Sequence, residues 1–167
     1  RIGLQAPARL LDVGCGPGNS TAAVAARYPG ARVLGVDSSE NMVAAACAAH
    51  PEFEFRVCEA PQGLDALGGG FDIVFSNACL QWIPEHRTLL PALMRQLRPG
   101  GVLVYATCTV LPEENGGVVS TFLDVHPDFA KEEFTLPGIG SCPGDVTLWP
   151  QRTGTDGFYI CRMRRRG

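Results

Sequence analysis

A chain of 167 residues is long enough for one domain with a real core, and 46% hydrophobic against 19% charged residues suits a globular α/β protein. A formal charge of −3 does not suggest a nucleic-acid binder, and no signal peptide, membrane-spanning run or lipidation motif appears. The seven cysteines are an odd number without a C-x-x-C pair, so they form neither a disulfide framework nor a zinc site. They fit a reducing, cytoplasmic setting, and no metal is expected. Arg1 is not an initiator methionine and few residues precede the first strand, so the sequence reads as a fragment.

Ala8 to Val13 is an apolar run that predicts a buried strand. Gly14, Gly16 and Gly18 follow as a tight turn in which no β-carbon keeps a ligand off the backbone. Asn19, Ser20 or Thr21 is then expected to cap a helix whose first amides point back at that ligand. That alanine-rich helix runs from Thr21 to Tyr28 and stops at Pro29-Gly30. Arg32 to Asp37 reads as a second strand ending in a carboxylate. At this place in a nucleotide-binding β-α-β unit, an acid accepts from both ribose hydroxyls. The alternative is that Asp37 caps the next helix, for which Ser38 or Ser39 would also serve. A helix over Asn41 to Ala49 and a strand over Glu54 to Val57 come next. Glu59 follows, either reaching an adenine amino group or standing as a solvated loop glutamate.

Gln62 to Gly70 looks like a loose connection, and Phe71 to Asn77 is the fourth strand. Ser76 to Trp82 should line the acceptor side, because ligands of doubly wound sheets sit beyond the carboxyl ends of the strands. Trp82 either walls that pocket or packs on the following helix. The helix from Pro84 to Leu97 carries Leu89, Leu90, Leu93, Met94 and Leu97 on one face, and Pro99-Gly100-Gly101 ends it. Val102 to Ala106 is the fifth strand. A helix from about Pro112 to Val125, a strand near Val146 to Trp149 and a last strand from Phe158 to Met163 complete the chain. Two strands without a helix between them imply a closing antiparallel pair, whereas the earlier alternation implies a parallel sheet. Arg162, Arg164, Arg165 and Arg166 read as a solvated basic tail. We expect one domain over 1–167, with a cofactor half over 1–101 and a half completing the sheet over 102–167.

The glycines run G-x-G-x-G, which does not meet the dinucleotide fingerprint. The strand, turn and helix resemble motif I of the class I S-adenosylmethionine (SAM)-dependent methyltransferases. Residues 5–101 are similar to the trans-aconitate methyltransferases through LLDVGCGPGNST (Leu10 to Thr21), VLGVDSSENM (Val33 to Met42), FDIVFSNACLQWIPEH (Phe71 to His86) and LLPALMRQLRPGG (Leu89 to Gly101). The resemblance implies a Rossmann-like fold with a mostly parallel seven-stranded sheet. It also implies SAM held by Asp12, Gly14, Gly16 and Gly18, ribose held by Asp37, and motif IV at Asn77. At Cys58-Glu59-Ala60 that family reads Glu-Ala-Asp, so the acid at Glu59 stands one place early.

Residues 99–165 resemble a different branch, the Sun-family ribosomal-RNA cytosine-5 methyltransferases. The carriers are VLVYATCTVLPEEN (Val102 to Asn115), FLDVHPDF (Phe122 to Phe129) and LWPQRTGTDGFYICRMRR (Leu148 to Arg165). In that family the cysteine of T-C-[ST] is the nucleophile, which here is Cys108; the alternative is a small apolar residue buried at a strand end. The D-A-P-C of that family is Asn77-Ala78-Cys79-Leu80 in this chain. The switch is compatible with a natural recombinant, a designed chimera or an assembly artefact. Three functions follow as expectations. The first is methyl transfer to a small carboxylate of the trans-aconitate type, which needs no general base. The second is RNA cytosine-5 methylation through a Cys108 thiolate that adds at carbon 6. The third is SAM binding without efficient turnover.

Overall fold

The computed structural model describes residues 6–77, 79–84, 86–154 and 156–167. The chain divides into two compact units, Gln5–Gly101 and Val102–Gly167. In the first, the elements are β1 (Arg9–Val13), α1 (Asn19–Arg27), β2 (Arg32–Asp37), α2 (Glu40–Ala49), β3 (Glu54–Val57), β4 (Phe71–Phe75) and α3 (His86–Gln96). Single 3-10 turns at Leu64–Leu67 and Leu80–Trp82 flank β4.

The four strands are parallel in the order β3-β2-β1-β4, with Leu11 opposite Leu34 on one side and Val74 on the other. A central parallel strand is covered on both faces, which is why β1 reads beyond Arg9 as an apolar run broken only by Asp12 rather than as an alternation. Leu11, Val13, Leu34 and Val36 meet Phe71, Leu89 and Leu93 in one buried cluster. Leu64 is fully buried in that cluster, so the expected loose connection over Gln62 to Gly70 contains a packed helical turn. The apolar stripe of α3 is buried at Leu89, Leu93 and Met94, while Leu97 lies at the start of the following strand.

The helix starts depart from expectation in an informative way. Gly18, not a polar side chain, occupies the N-cap of α1 in the left-handed region, and no side chain caps that helix. At α2 the cap is Ser39, one of the two serines that could serve there in place of Asp37: its Oγ accepts from the Met42 amide at 3.3 Å.

The second unit holds most of β5 (Leu97–Thr107), then α4 (Gly116–Val125), β6 (Phe129–Lys131), β7 (Phe134–Leu136), β8 (Gly140–Cys142), β9 (Asp145–Leu148), α5 (Pro150–Thr153) and β10 (Phe158–Arg165). β10 runs antiparallel to β5, β6 and β9, and β7 with β8 forms a separate hairpin. The antiparallel pairing near the carboxyl end follows the expectation. The short helix α5 between β9 and β10, and the strands β6 to β8, have no counterpart in it. Elements of three or four residues carry too little periodicity to be read.

The solvated-tail reading of the arginines is corrected. Arg162, Arg164 and Arg165 belong to β10, and Arg162 is only 8% exposed. Arg162 and Arg164 share the Glu132 carboxylate at 2.8 and 2.7 Å, and Arg165 meets Asp128 at 3.2 Å. Pairing of β6 with β10 brings these acids opposite the arginines, a long-range match that a charge run does not disclose.

Asp72, at the base of β4, holds the start of the sheet. Its Oδ2 accepts from the amides of Ala8 and Arg9, each at 2.8 Å, and its Oδ1 pairs with Arg98. Burial alone would raise its pKa, but the Arg9 amide, Arg98 and the Ala8 amide together hold the carboxyl below the usual range. Asp72→Ala leaves those donors unmatched and should destabilise the chain by about 1–3 kcal/mol in urea unfolding. A depressed folded pKa stabilises above the ordinary carboxylate value, and the benefit is lost as pH falls through the lower folded value. Between about pH 7 and pH 3 the wild type should therefore lose more stability than Asp72→Asn.

Candidate cofactor site

The glycine turn is stapled to the tip of β2. The amides of Gly14 and Cys15 both donate to the Val36 carbonyl, at 2.8 and 3.0 Å, and the Gly18 amide donates to the Cys15 carbonyl at 3.0 Å. The Gly16 amide donates to Asp37 Oδ2 at 3.0 Å. Gly14, Gly16 and Gly18 have φ of 75°, 53° and 93°, the left-handed region in which side chains are strained.

The space around each glycine separates their roles. A β-carbon at Gly14 would lie 2.2 Å from Cys79 Sγ, and one at Gly18 would lie 2.7 Å from His50 Cδ2 and 3.1 Å from the Phe55 ring. At Gly16 nothing stands within 4 Å. Two of the three glycines thus make room for protein side chains, and Gly16 is the one whose bare face opens outward. Gly35 is a further glycine of this kind: its β-carbon would meet Phe55 at 2.6 Å and Thr21 Oγ1 at 3.0 Å. A lone glycine inside a strand pattern was the available signal for such close packing.

Asp12 is fully buried on β1. Its Oδ2 accepts from Ser20 Oγ at 2.6 Å and from Thr21 Oγ1 at 2.7 Å. This is why neither hydroxyl caps α1: both are turned inward onto the carboxylate. Among the described residues Asp12 Oδ1 has no hydrogen-bond partner. Burial pushes the Asp12 carboxyl up, the two hydroxyls oppose it and the charge of Asp37 adds to it. Asp37 is half-buried at the end of β2, where Oδ2 accepts from Gly16 and Oδ1 from the Ser39 amide at 2.9 Å. Each oxygen takes one backbone donor, which leaves each a second acceptor site.

The remaining candidates lie on loops after the strands. Glu59 is exposed beyond β3, with its carbonyl accepting from the Gly63 amide at 2.7 Å. β4 stops at Phe75, two residues before the expected end, and Ser76 Oγ donates to the Val13 carbonyl at 2.7 Å. That bond fixes the exit of β4 against the exit of β1; Asn77 beside it is exposed. Trp82 is 81% exposed, so the alternative in which it packs on the next helix is corrected.

Cys108 lies in the second unit, one residue past β5, and is exposed. The alternative of a small residue buried at a strand end is therefore also corrected. Asn115 is buried and pins the turn around Cys108: its Oδ1 accepts from Thr107 Oγ1 at 2.5 Å and its Nδ2 donates to the Thr109 carbonyl at 3.0 Å. Asn115 was not among the sequence candidates; the bracketing threonines were the only hint of it. All seven cysteines are free. Burial, with Asp12 and Asp37 nearby, pushes the Cys15 thiol up to about 12, and burial also raises Cys58 and Cys79. Among the described residues no acidic, histidine or cysteine group could hold a metal, and no helix is long and apolar enough to cross a membrane.

Two measurements check this geometry. Gly14→Ala should destabilise the chain more than Gly16→Ala, because it adds a collision with Cys79 to a backbone strain of about 1–2 kcal/mol that both variants share. Comparable melting temperatures for the two would contradict the packing. A thiol-disulfide reagent at about pH 8 should modify Cys47 and Cys108 in a fast phase that Cys47→Ala/Cys108→Ala abolishes, with buried Cys15 reacting only on unfolding.

Comparison with known proteins assigns this arrangement to a family. Residues 10–101 match the methyltransferase domain family, and residues 76–164 match the 16S rRNA methyltransferase RsmB/F family. A trans-aconitate 2-methyltransferase from Azoarcus sp. is 50% identical over 103 residues, which is 62% of this chain and 40% of that protein. The chain thus spans about two fifths of the length of the curated relatives it matches. In structure it is similar to NSun6 from Pyrococcus horikoshii with SFG, at a TM-score of 0.67 and 23% identity, covering 96% of this chain and 48% of that one. An O-methyltransferase from Bacillus cereus in complex with SAH aligns at a TM-score of 0.64 and 17% identity, covering 96% and 75%. These likenesses show the Rossmann-like methyltransferase fold. The chain belongs to the methyltransferase domain family, and its carboxy-terminal half to the 16S rRNA methyltransferase RsmB/F family.

Proposed function

We propose that this chain binds SAM at the glycine turn and transfers the methyl group to a small carboxylic acid of the trans-aconitate type. The observation that carries the reading is the fixing of Asp37 by the Gly16 and Ser39 amides, with acceptor capacity left on both oxygens. A carboxylate held in this way suits two adjacent hydroxyls of a ribose. The residues present fit the rest of such a ligand as well. Gly16 allows close approach to the backbone, and Asp12 keeps a buried oxygen without a donor. Glu59 is assigned to the adenine side and Asn77 to the cofactor as well, with Trp82 on the acceptor side.

Bound SAM would supply an electrophilic methyl group on a sulfonium. A carboxylate acceptor is already ionised at neutral pH, so no side chain has to remove a proton. The task of the chain is then orientation, which can be worth roughly 7–11 kcal/mol in a well-aligned site. The likeness of the first hundred residues to trans-aconitate 2-methyltransferases supports this acceptor class.

A second reading, cytosine-5 methylation of RNA, is favoured by one observation: an exposed Cys108 within a turn pinned by Asn115, in the part that matches RsmB/F. Against it, Asn77 stands where that family places an acid.

Label transfer from radiolabelled SAM, tested against a panel of small acids and ribosomal RNA, separates the readings. We expect label on a carboxylic acid, undiminished in Cys108→Ala. A covalent adduct of Cys108 with 5-fluorocytosine RNA would replace this reading with the second. Micromolar SAM binding with transfer to neither would leave a binding module. Asp37→Ala should weaken SAM binding by about 1–3 kcal/mol in calorimetry, through ribose donors left unmatched; wild-type affinity would remove Asp37 from the site.

A further inference from the structure

Asp12 presents an asymmetry that the fold alone does not require. Both hydroxyls of the first turn of α1 converge on one carboxylate oxygen, Oδ2, at 2.6 and 2.7 Å. The other oxygen, Oδ1, is buried and unmatched among the described residues, in a side chain that is fully enclosed. A buried acceptor without a donor is destabilising, and native structures seldom keep one unless something else satisfies it. Ser20 and Thr21 could each have capped the helix end, yet both face the acid and Gly18 takes the cap position without any side-chain bond. Among the described residues no ion pair involves Asp12 or Asp37.

We infer that Ser20 and Thr21 are positioning residues that saturate Asp12 Oδ2 and so reserve Oδ1 for the ammonium group at the amino-acid end of the cofactor, met directly or through one water. The inference rests on the proposed SAM site and adds to it a source of ligand discrimination. With both hydroxyls in place the carboxylate cannot swing its free oxygen toward the helix. Without them either oxygen can turn toward the amides at the start of α1, and the acceptor offered to the ligand is lost. Oriented this way, the acid distinguishes ligands that carry an α-amino acid from nucleosides that lack one. Its effect is therefore confined to one end of the ligand, whereas general loosening of the turn would weaken every part of the site.

The test compares S-adenosylhomocysteine with methylthioadenosine, the same nucleoside thioether without the amino-acid end, by calorimetry on the full chain. For Ser20→Ala/Thr21→Val we expect a loss of about tenfold or more in affinity for S-adenosylhomocysteine and little change for methylthioadenosine. Thr21→Ser, which keeps the hydroxyl, should restore most of the difference. Ser20→Ala alone, at a half-buried position, should show the same selective loss in smaller measure and serves if the double variant does not fold. An equal loss for both ligands, or no loss for either, overturns the positioning role and leaves the cofactor site standing. A wild-type chain that binds neither ligand overturns the cofactor site and this inference with it.

Discussion

One carbonyl organises the amino-terminal unit. Val36 O, near the tip of β2, accepts from two successive amides of the glycine turn, and the next amide after them goes to Asp37. Parallel strands have no hairpin to fix their relative ends, so the turn after β1 would otherwise be free to lift away from β2. Three consecutive donors remove that freedom. They also set the acid at the end of β2 beside Gly16, the glycine of the turn with open space around it. Binding geometry at the sheet's carboxyl edge is in this sense a by-product of how the loop satisfies its own backbone.

The same economy applies inside the strand. Asp12 interrupts an otherwise apolar run, and a carboxylate there would be hard to bury without donors. The hydroxyls that a polar helix start makes available are drawn inward to it, and the helix begins on a left-handed glycine instead. At the opposite edge Asp72 performs the complementary task, gathering the amides that open β1 and an arginine that follows α3. Two buried acids, one at each end of the sheet, thereby fix where the central strand enters and leaves.

Much of the first unit was legible because its signals are local. The limits of β2 follow from an apolar run bounded by breakers, those of β3 from an alternation of polar and apolar residues, and the stripe on α3 from helical spacing. The glycine turn was readable as a turn, but its division of labour was not. That Gly14 answers to Cys79 and Gly18 to His50 and Phe55 depends on side chains far along the chain. Helix caps were misjudged at α1 for the same reason: the local rule gives Ser20 and Thr21 to the helix, and a strand residue eight or nine positions earlier outbids it. In the second unit the losses are greater. β6, β7 and β8 are three residues each, and the arginines of β10 looked solvated only because their partners, Asp128 and Glu132, lie more than two dozen residues upstream. Trp82 and Cys108 were each left with two alternatives, and exposure removes the buried one in both cases.

The arrangement of the antiparallel unit has a bearing on how it comes into being. Its central strand, β10, is the last element in sequence, and β5, β6 and β9 all pair with it. During synthesis those three strands emerge without their shared neighbour, so their ladders must wait for the final stretch. The parallel pairings of β1 to β4, by contrast, are all present in the chain once Phe75 has been made. Assembly is therefore expected to be sequential, with the carboxy-terminal strands the slower part because their contacts span long loops. Deleting Phe158–Arg165 would remove the strand on which the others converge, a far larger loss than its 8 residues suggest.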